Sequence, residues 1–497
     1  MRLLLPSFLF FLAFVTLLPA QRSALERSSA NAKRLLDEGK FGEAIPLLLE
    51  LKKAAPTDVG LRMSLGNAYA ASGDLASAVQ AFESLRRQDP GFAPAALSLA
   101  GIYLNQGRGR EAITLLREQV AREPRNGEAR NMLASAYRMT GDLTRANEEL
   151  RELARLSPKN ARAQHLLYQS YQEIAQESFG LAEQAAPESA YMVAMAGYQR
   201  LASEEYASAF YLMREALRRQ SDLRGPHAAL ATIYAKTGHA DWAAVEAKQE
   251  AALSAEACTA KPLACTFEKG DLPGLMQATR FARLPEDLYW RYRAADLLAE
   301  KTYSILQALP KSVNALGAKA ERERRLGRHT EAVASWKAAI ALAPGNAGLE
   351  KELVVSLYQA KDFTACAQRA DALLRTHPED GDLQLLRGDA ALSQQDAKTA
   401  LPYLEKAVAL NPTMLPAHAS LGRALLQLGR AADALPHLEQ SLPYDRDGSI
   451  LYQYAQACQQ SGLADQGKMA LARYQDFLKR DRAEKAEFEA RFQIVAP

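Results

Sequence analysis

Neither sign of charge prevails in this chain: 61 Lys and Arg stand against 58 Asp and Glu, a net of +3 over 497 residues. Nucleic-acid binding normally needs a strongly basic face, so that class of partner is not expected. The motifs of common enzyme scaffolds are missing as well. No HExxH occurs, no His pair sits four apart, and neither GxSxG nor GxGxxG is present. One near-match to a phosphate loop, Gly462 with Gly467-Lys468, has Met469 where a Ser or Thr should hold magnesium. It reads as the turn of a helix pair. The carboxylates Glu204-Glu205 and Glu321-Arg322-Glu323 read as solvated helix faces. No catalytic residue, cofactor site or metal site is expected, and the chain is not expected to be an enzyme.

Long apolar runs are scarce too, with one exception at the start. Leu3 to Leu18 is almost wholly apolar behind the single charge of Arg2, and Leu18-Pro19-Ala20 precedes Gln21. That is the pattern of a secretory signal peptide with cleavage after Ala20, the alternative being an uncleaved membrane anchor. The mature chain is then expected in the periplasm or outside the cell. No Cys follows the apolar stretch, so lipid attachment is not indicated.

Cysteine is sparse, with four in all. Cys258 and Cys265 flank Pro262 in an irregular stretch, where an oxidising compartment lets such a pair form a disulfide or leaves two free thiols. Cys366 stands where sister segments carry Ala332, Ala400 and Ala434, the place of a small buried packing residue.

What the chain does have is a period. Tyr69, Tyr103 and Tyr137 fall 34 residues apart, as do Gly73, Gly107 and Gly141 and the prolines Pro56, Pro90, Pro124 and Pro158. In the segment from Val59, the residues Leu65, Ala68 and Tyr69 share one helical face, Gly66 permits close approach, and Gly73-Asp74 breaks the chain. Ala78, Phe82 and Leu85 then form the inner stripe of a second helix, which Pro90 ends. A 34-residue helix–turn–helix period marks stacked helix pairs. At its Leu, Gly, Tyr, Gly, Ala, Phe and Pro positions the chain resembles the tetratricopeptide repeat (TPR) family. The resemblance implies an all-α, right-handed solenoid with a concave groove lined by the first helices, and bacterial envelope proteins are of similar type.

Units of this kind are expected from Leu25, Val59, Ala93, Gly127, a short fifth from Ala161, then Ala190 and Arg224. The rhythm fails between about 251 and 312 and resumes at Val313, Ala347, Gly381 and Leu415, with a last pair from Gly448. That gives about 11–12 helix pairs with two irregular joints: an N-terminal array over 21–250, a joint over 251–312, a C-terminal array over 313–480, and a capping helix and tail over 481–497. Ile174-Ala175, Ser178-Phe179 and Pro187-Glu188-Ser189 are echoed by Leu298-Ala299, Thr302-Tyr303 and Pro310-Lys311-Ser312, so the irregular helices form a repeated element.

The resemblance also carries over the groove positions. They are Lys33 and Asp37, Met63 and Asn67, Asn105, then Asn131, Ser135, Arg138 and Met139, then Arg162, His165 and Gln169, and Tyr191 and Tyr198. Amides on such a wall can bond an extended peptide, and Tyr191 and Tyr198 are the expected aromatic anchors. The carboxylate clamp of chaperone-binding members is absent, because Met63 precedes Asn67 and the next unit offers Leu97 and Gly101. The expected function is a non-catalytic scaffold that binds a partner protein or peptide in its groove. The alternative is an envelope assembly or export factor that handles polysaccharide or outer-membrane components within a membrane complex. Self-assembly through Cys458 or the C-terminal helix is a third reading.

Overall fold

The computed structural model describes residues 19–254, 262–491 and 493–497. Among them the backbone forms α-helices and one short 3-10 turn, with no strand. Contacts divide the chain into two compact units, one ending at Ile174 and the other running from Ala175 to Pro497.

The first unit is a run of antiparallel pairs: α1 (Pro19–Asp37) and α2 (Phe41–Ala54), α3 (Val59–Ser72) and α4 (Leu75–Gln88), α5 (Ala93–Asn105) and α6 (Gly109–Arg122), α7 (Gly127–Met139) and α8 (Leu143–Leu156). These are the helix pairs that the period predicts, with α3, α5 and α7 starting at Val59, Ala93 and Gly127 as expected and α1 beginning at Pro19, ahead of the expected Leu25. Three of these helices start on a polar cap: Asp58 accepts from the Leu61 amide before α3, Asp74 from Ser77 before α4, and Asn126 from Ala129 before α7. Inside the pairs the small positions do what their size allows. A Cβ on Gly66 would lie 2.5 Å from the Phe82 ring, so only glycine lets α3 and α4 close over that buried phenyl. Phe82, Leu85 and Leu65 are nearly or fully buried, each such side chain contributing about 2 kcal/mol by leaving water.

Successive pairs are also tied by side chains. Arg130 Nε donates to the Pro124 carbonyl at 2.8 Å and Gln164 Nε2 to that of Pro158 at 3.1 Å. The proline that stops one pair thus offers its free carbonyl to the fourth residue of the next.

After α8 the pattern changes. The expected fifth pair is a single helix, α9 (Ala161–Ala185), 25 residues long. Where Gly73-Asp74 or Gly141-Asp142 would break the chain it has Ala175-Gln176, and nothing there stops a helix.

The second unit begins with α10 (Ala190–Ala202) and α11 (Tyr206–Arg219), then α12 (Pro226–Lys236) and α13 (Ala240–Ser254). Two short helices follow, α14 (Pro262–Glu268) and α15 (Leu272–Ala278), and the long α16 (Pro285–Ala308), the 24-residue counterpart of α9. Regular pairing resumes with α17 (Val313–Arg325) and α18 (His329–Leu342), α19 (Ala347–Gln359) and α20 (Phe363–Leu374), α21 (Gly381–Ser393) and α22 (Ala397–Leu410), α23 (Leu415–Gln427) and α24 (Ala431–Ser441). The last pair is α25 (Ser449–Gln460) and α26 (Ala464–Arg491). The expected separate capping helix is therefore the far end of α26. Gly462, from the phosphate-loop near-match, makes the left-handed turn before it.

The division between units falls within α9, not at the irregular joint near residue 251. The reason is α16, which packs back on α10 and forward on α17 and so binds the joint to the helices on both sides. The turns after α10 and α17 also meet, through an ion pair between Glu204 and Arg328. These turns are counterparts in the duplication, with Glu204 and Gly327 both left-handed.

Cys366 is buried and free, and burial pushes its thiol up to about 12. It is the inert packing residue that its place among alanines predicts. Cys265 is buried on α14, whereas Cys258 and the apolar run Leu3–Leu18 lie outside the described residues, and the expected cut after Ala20 falls within α1. Among the described residues no helix is long and apolar enough to cross a membrane.

Candidate functional site

The first helices of each pair, α3, α5, α7 and the start of α9, carry the residues expected to line a groove. Asn67, Asn131 and Gln169 are half-buried and Asn105 is exposed. Their amides make no hydrogen bond among the described residues, so each can still donate and accept. Ser135 and Met139 are exposed beside them.

Arg138 is exposed, yet it is engaged. Its guanidinium forks onto the Glu173 carboxylate, with Nε donating at 2.9 Å. The pair fixes a planar charge at the edge of α7 and α9. His165 is half-buried on α9. Met63 is corrected: at 4% exposure it belongs to the core between α3 and its neighbours. Its apolar side chain is turned inward, so that face is more polar than the sequence led one to expect.

The larger correction concerns the two expected anchors. Tyr198 is buried and Tyr191 half-buried, because α16 lies across α10. Tyr289 of α16 sits 5.6 Å from the Tyr191 ring centre and 6.4 Å from that of Tyr198. The Arg293 guanidinium covers the Tyr198 ring at 3.6 Å, and burial pushes the Tyr198 phenol well above its ordinary range. The ring face expected to grip a ligand is occupied by the chain's own helix.

That helix is anchored in several ways. Tyr289 Oη donates to the Arg224 carbonyl at 2.7 Å. Arg291, itself buried, pairs with Glu177 at 2.7 Å. Arg224 pairs with Glu268 of α14. The Glu250 carboxylate accepts from the Gly225 amide at 2.8 Å and from Ala228 at 3.2 Å. Gly225 stands at φ 107°, and a Cβ there would meet the tips of Tyr289, Arg293 and Tyr198 within 2.7 Å. Only glycine fits this conformation and this space. Covering of this kind rests on residues about ninety positions apart, which a 34-residue period does not reveal.

Sequence reasoning also missed a pairing slot. The fourth residue of a unit meets the residue nineteen further on: Arg130 pairs with Glu149, and Glu350 with Arg369 at 3.2 Å. Complementary charge at a fixed offset inside the period was the signal for it.

Family models described as tetratricopeptide repeat match residues 35–99, 69–122 and 391–458, and a second such model matches 97–161 and 351–414. No curated protein matches the chain. Among solved structures the chain is similar to MamA from Desulfovibrio magneticus RS-1, at 22% identity over 30% of this chain and 84% of that one, TM-score 0.28. It is similar also to a chain of the APC/C hetero-tetramer Cut9-Hcn1, at 16% identity over 93% and 97%, TM-score 0.33. YrrB, a TPR protein with an unusual peptide-binding site, matches at 20% identity over 33% and 84%, TM-score 0.29. Superpositions this loose carry no argument about function. The family matches do identify the repeats, and residues 35–161 and 351–458 of this chain are tetratricopeptide repeats.

Proposed function

We propose that this chain is a non-catalytic scaffold of the periplasm or cell exterior that holds a partner protein or peptide along the first-helix wall of its N-terminal unit. One observation carries the reading: Asn67, Asn105, Asn131 and Gln169 repeat along that wall with their amides uncommitted. Amides at successive repeats suit an extended backbone, which offers a donor and an acceptor at each residue. The covered face of α10 is a poorer candidate, since a ligand there would first have to displace α16.

Affinity on such a wall is the sum of modest contacts, so each amide contributes about 1 kcal/mol. The leader Leu3–Leu18 supports the export part of the reading. Capture of partners from an envelope extract by the wild-type chain, and by a variant with Asn105 and Asn131 both changed to Ala, tests the proposal. A partner held by the first and lost by the second, with both chains equally folded, supports it. A partner retained by both overturns the groove assignment. N-terminal sequencing of the exported chain tests the cleavage after Ala20.

A further inference from the structure

Among the described residues, the slot that joins the fourth residue of a unit to the residue nineteen on is filled by a side-chain contact in four helix pairs. Three of them set a basic side chain against a carboxylate: Arg130 with Glu149, Glu350 with Arg369, and His227 Nδ1 with Glu246 Oε2 at 2.5 Å. In the fourth, between α23 and α24, both places are imidazoles. His418 Nδ1 and His437 Nδ1 lie 2.8 Å apart, with ring centres separated by 5.1 Å and planes tilted by 30°.

The surroundings settle the protons. His418 is 4% exposed, and its Nε2 lies 2.9 Å from the Pro412 carbonyl, which can only accept. His418 therefore carries its proton on Nε2 and offers Nδ1 as acceptor, and His437 donates from its Nδ1. A first extra proton goes to His437 Nε2 and leaves both bonds standing. A second has only His418 Nδ1 to occupy, where it turns the acceptor into a donor facing a donor, with two like charges in contact.

We propose that His418 and His437 form an acid-sensitive joint, which holds α23, α24 and the Pro412 carbonyl together at neutral pH and opens on acidification. Gln384 marks what the joint replaces. In the preceding unit its Nε2 makes the same bond, to the Pro378 carbonyl at 2.9 Å, with a group that does not titrate. Gln440 also donates to Pro412, at 3.1 Å, so the carbonyl keeps one partner while the imidazole leaves.

The neighbouring charges do not cancel the effect. Asp433 of α24 and Glu405 of α22 favour the charged form of His437, but burial and then His418 outweigh them and hold its pKa below the ordinary 6.5. Asp433 is also engaged by Arg430 at 2.7 Å. On α23 itself, Arg423 is turned to Asp389 of α21 at 3.5 Å. The other charged groups of α21 are engaged elsewhere, Arg387 by Asp371 and Asp382 by Lys351. The adjoining α25, SILYQYAQACQQ, has no ionisable acid or base among Asp, Glu, Lys, Arg and His. Because the closed state binds the proton less readily than the open one, closure is favoured above the ordinary value and weakens as pH falls through it.

The test is hydrogen exchange of the full chain, read by mass spectrometry from about pH 7.5 down to about pH 5 and corrected for intrinsic exchange, across the range where imidazole titrates. In the wild type the amides of α23 and α24 lose protection by up to about tenfold for each pH unit below the ordinary imidazole range, the slope of an opening that takes up one proton. His418→Gln restores the Gln384 arrangement, and His437→Glu restores the His227–Glu246 arrangement. Both are expected to flatten that slope to less than about twofold. An unchanged wild-type slope in either variant would overturn the proposal. So would a wild type whose α23 and α24 lose protection no faster than α3 to α8.

Discussion

The Arg293 guanidinium lies over the Tyr198 ring, 3.6 Å from its centre, and with Tyr289 it closes the face of α10 that the repeat pattern leaves open. A cation on a buried aromatic face contributes up to about 2 kcal/mol once desolvated. The first helices α3, α5 and α7 carry uncommitted amides, whereas α10 holds a helix of its own chain.

The tightest point of that closure is Gly225. Gly225→Ala forces a side chain into a left-handed conformation at φ 107° and against three tips within 2.7 Å. It is expected to cost about 3 kcal/mol or more. Urea unfolding followed by circular dichroism measures this, and a cost under about 1 kcal/mol would mean that α16 is not seated as described.

Lys361 makes the opposite case. It takes the left-handed turn position, φ 60°, that Gly73 and Gly141 fill in sister pairs. Lys361→Gly removes the strain of a side chain in that region and should stabilise the chain by about 1 kcal/mol. A lower melting temperature for the variant would contradict the turn geometry. Glu204 and Gln395 occupy the same place, at φ 61° and 63°.

Those three turns show where the sequence was legible and where it was not. Helix starts at Val59, Ala93, Gly127, Val313, Ala347, Gly381 and Leu415 follow from the period alone, because spacing and closing prolines agree. The turn at Lys361-Asp362 lies inside the unit expected from Ala347, although the glycine of its sister turns is missing there. The continuous α9 was not foreseen, since a shortened unit reads equally as a short pair until the missing turn residues are weighed. The groove positions implied by the resemblance fall on Asn105 and Asn131 of the first helices, but the burial of Tyr198 depends on Tyr289 and Arg293, which local pattern does not reach.

Glu215 carries a prediction about acid. Hydrogen bonds from Arg218, and then from Arg219, hold its carboxyl down to about 2, against an ordinary 4.5. The folded state thus binds that proton less readily than the unfolded one. Its contribution is complete above about 4.5 and fades as pH falls toward about 2. Glu215→Gln should be less stable than the wild type near neutral pH, with the gap narrowing through this window. Thermal melts at stepped pH read it directly, and a constant gap would refute the assignment.

Tyr234 reaches the far end of the chain, donating from its hydroxyl to the Val495 carbonyl at 2.5 Å. Tyr234→Phe should cost about 1 kcal/mol, and removing residues 493–497 should cost less in that background than in the wild type. Additive losses in this double-mutant cycle would show that the tail is not held through the hydroxyl.

The central claim is that the uncommitted amide wall of α3, α5 and α7 receives the partner. A photo-reactive residue placed at Asn105 or Asn131, with one at the exposed Gln80 of α4 as comparison, tests it most directly when the chain is irradiated with its captured partner. The account predicts cross-links from Asn105 and Asn131 to one extended stretch of the partner, and few from Gln80. Equal or stronger cross-linking from Gln80 would contradict it.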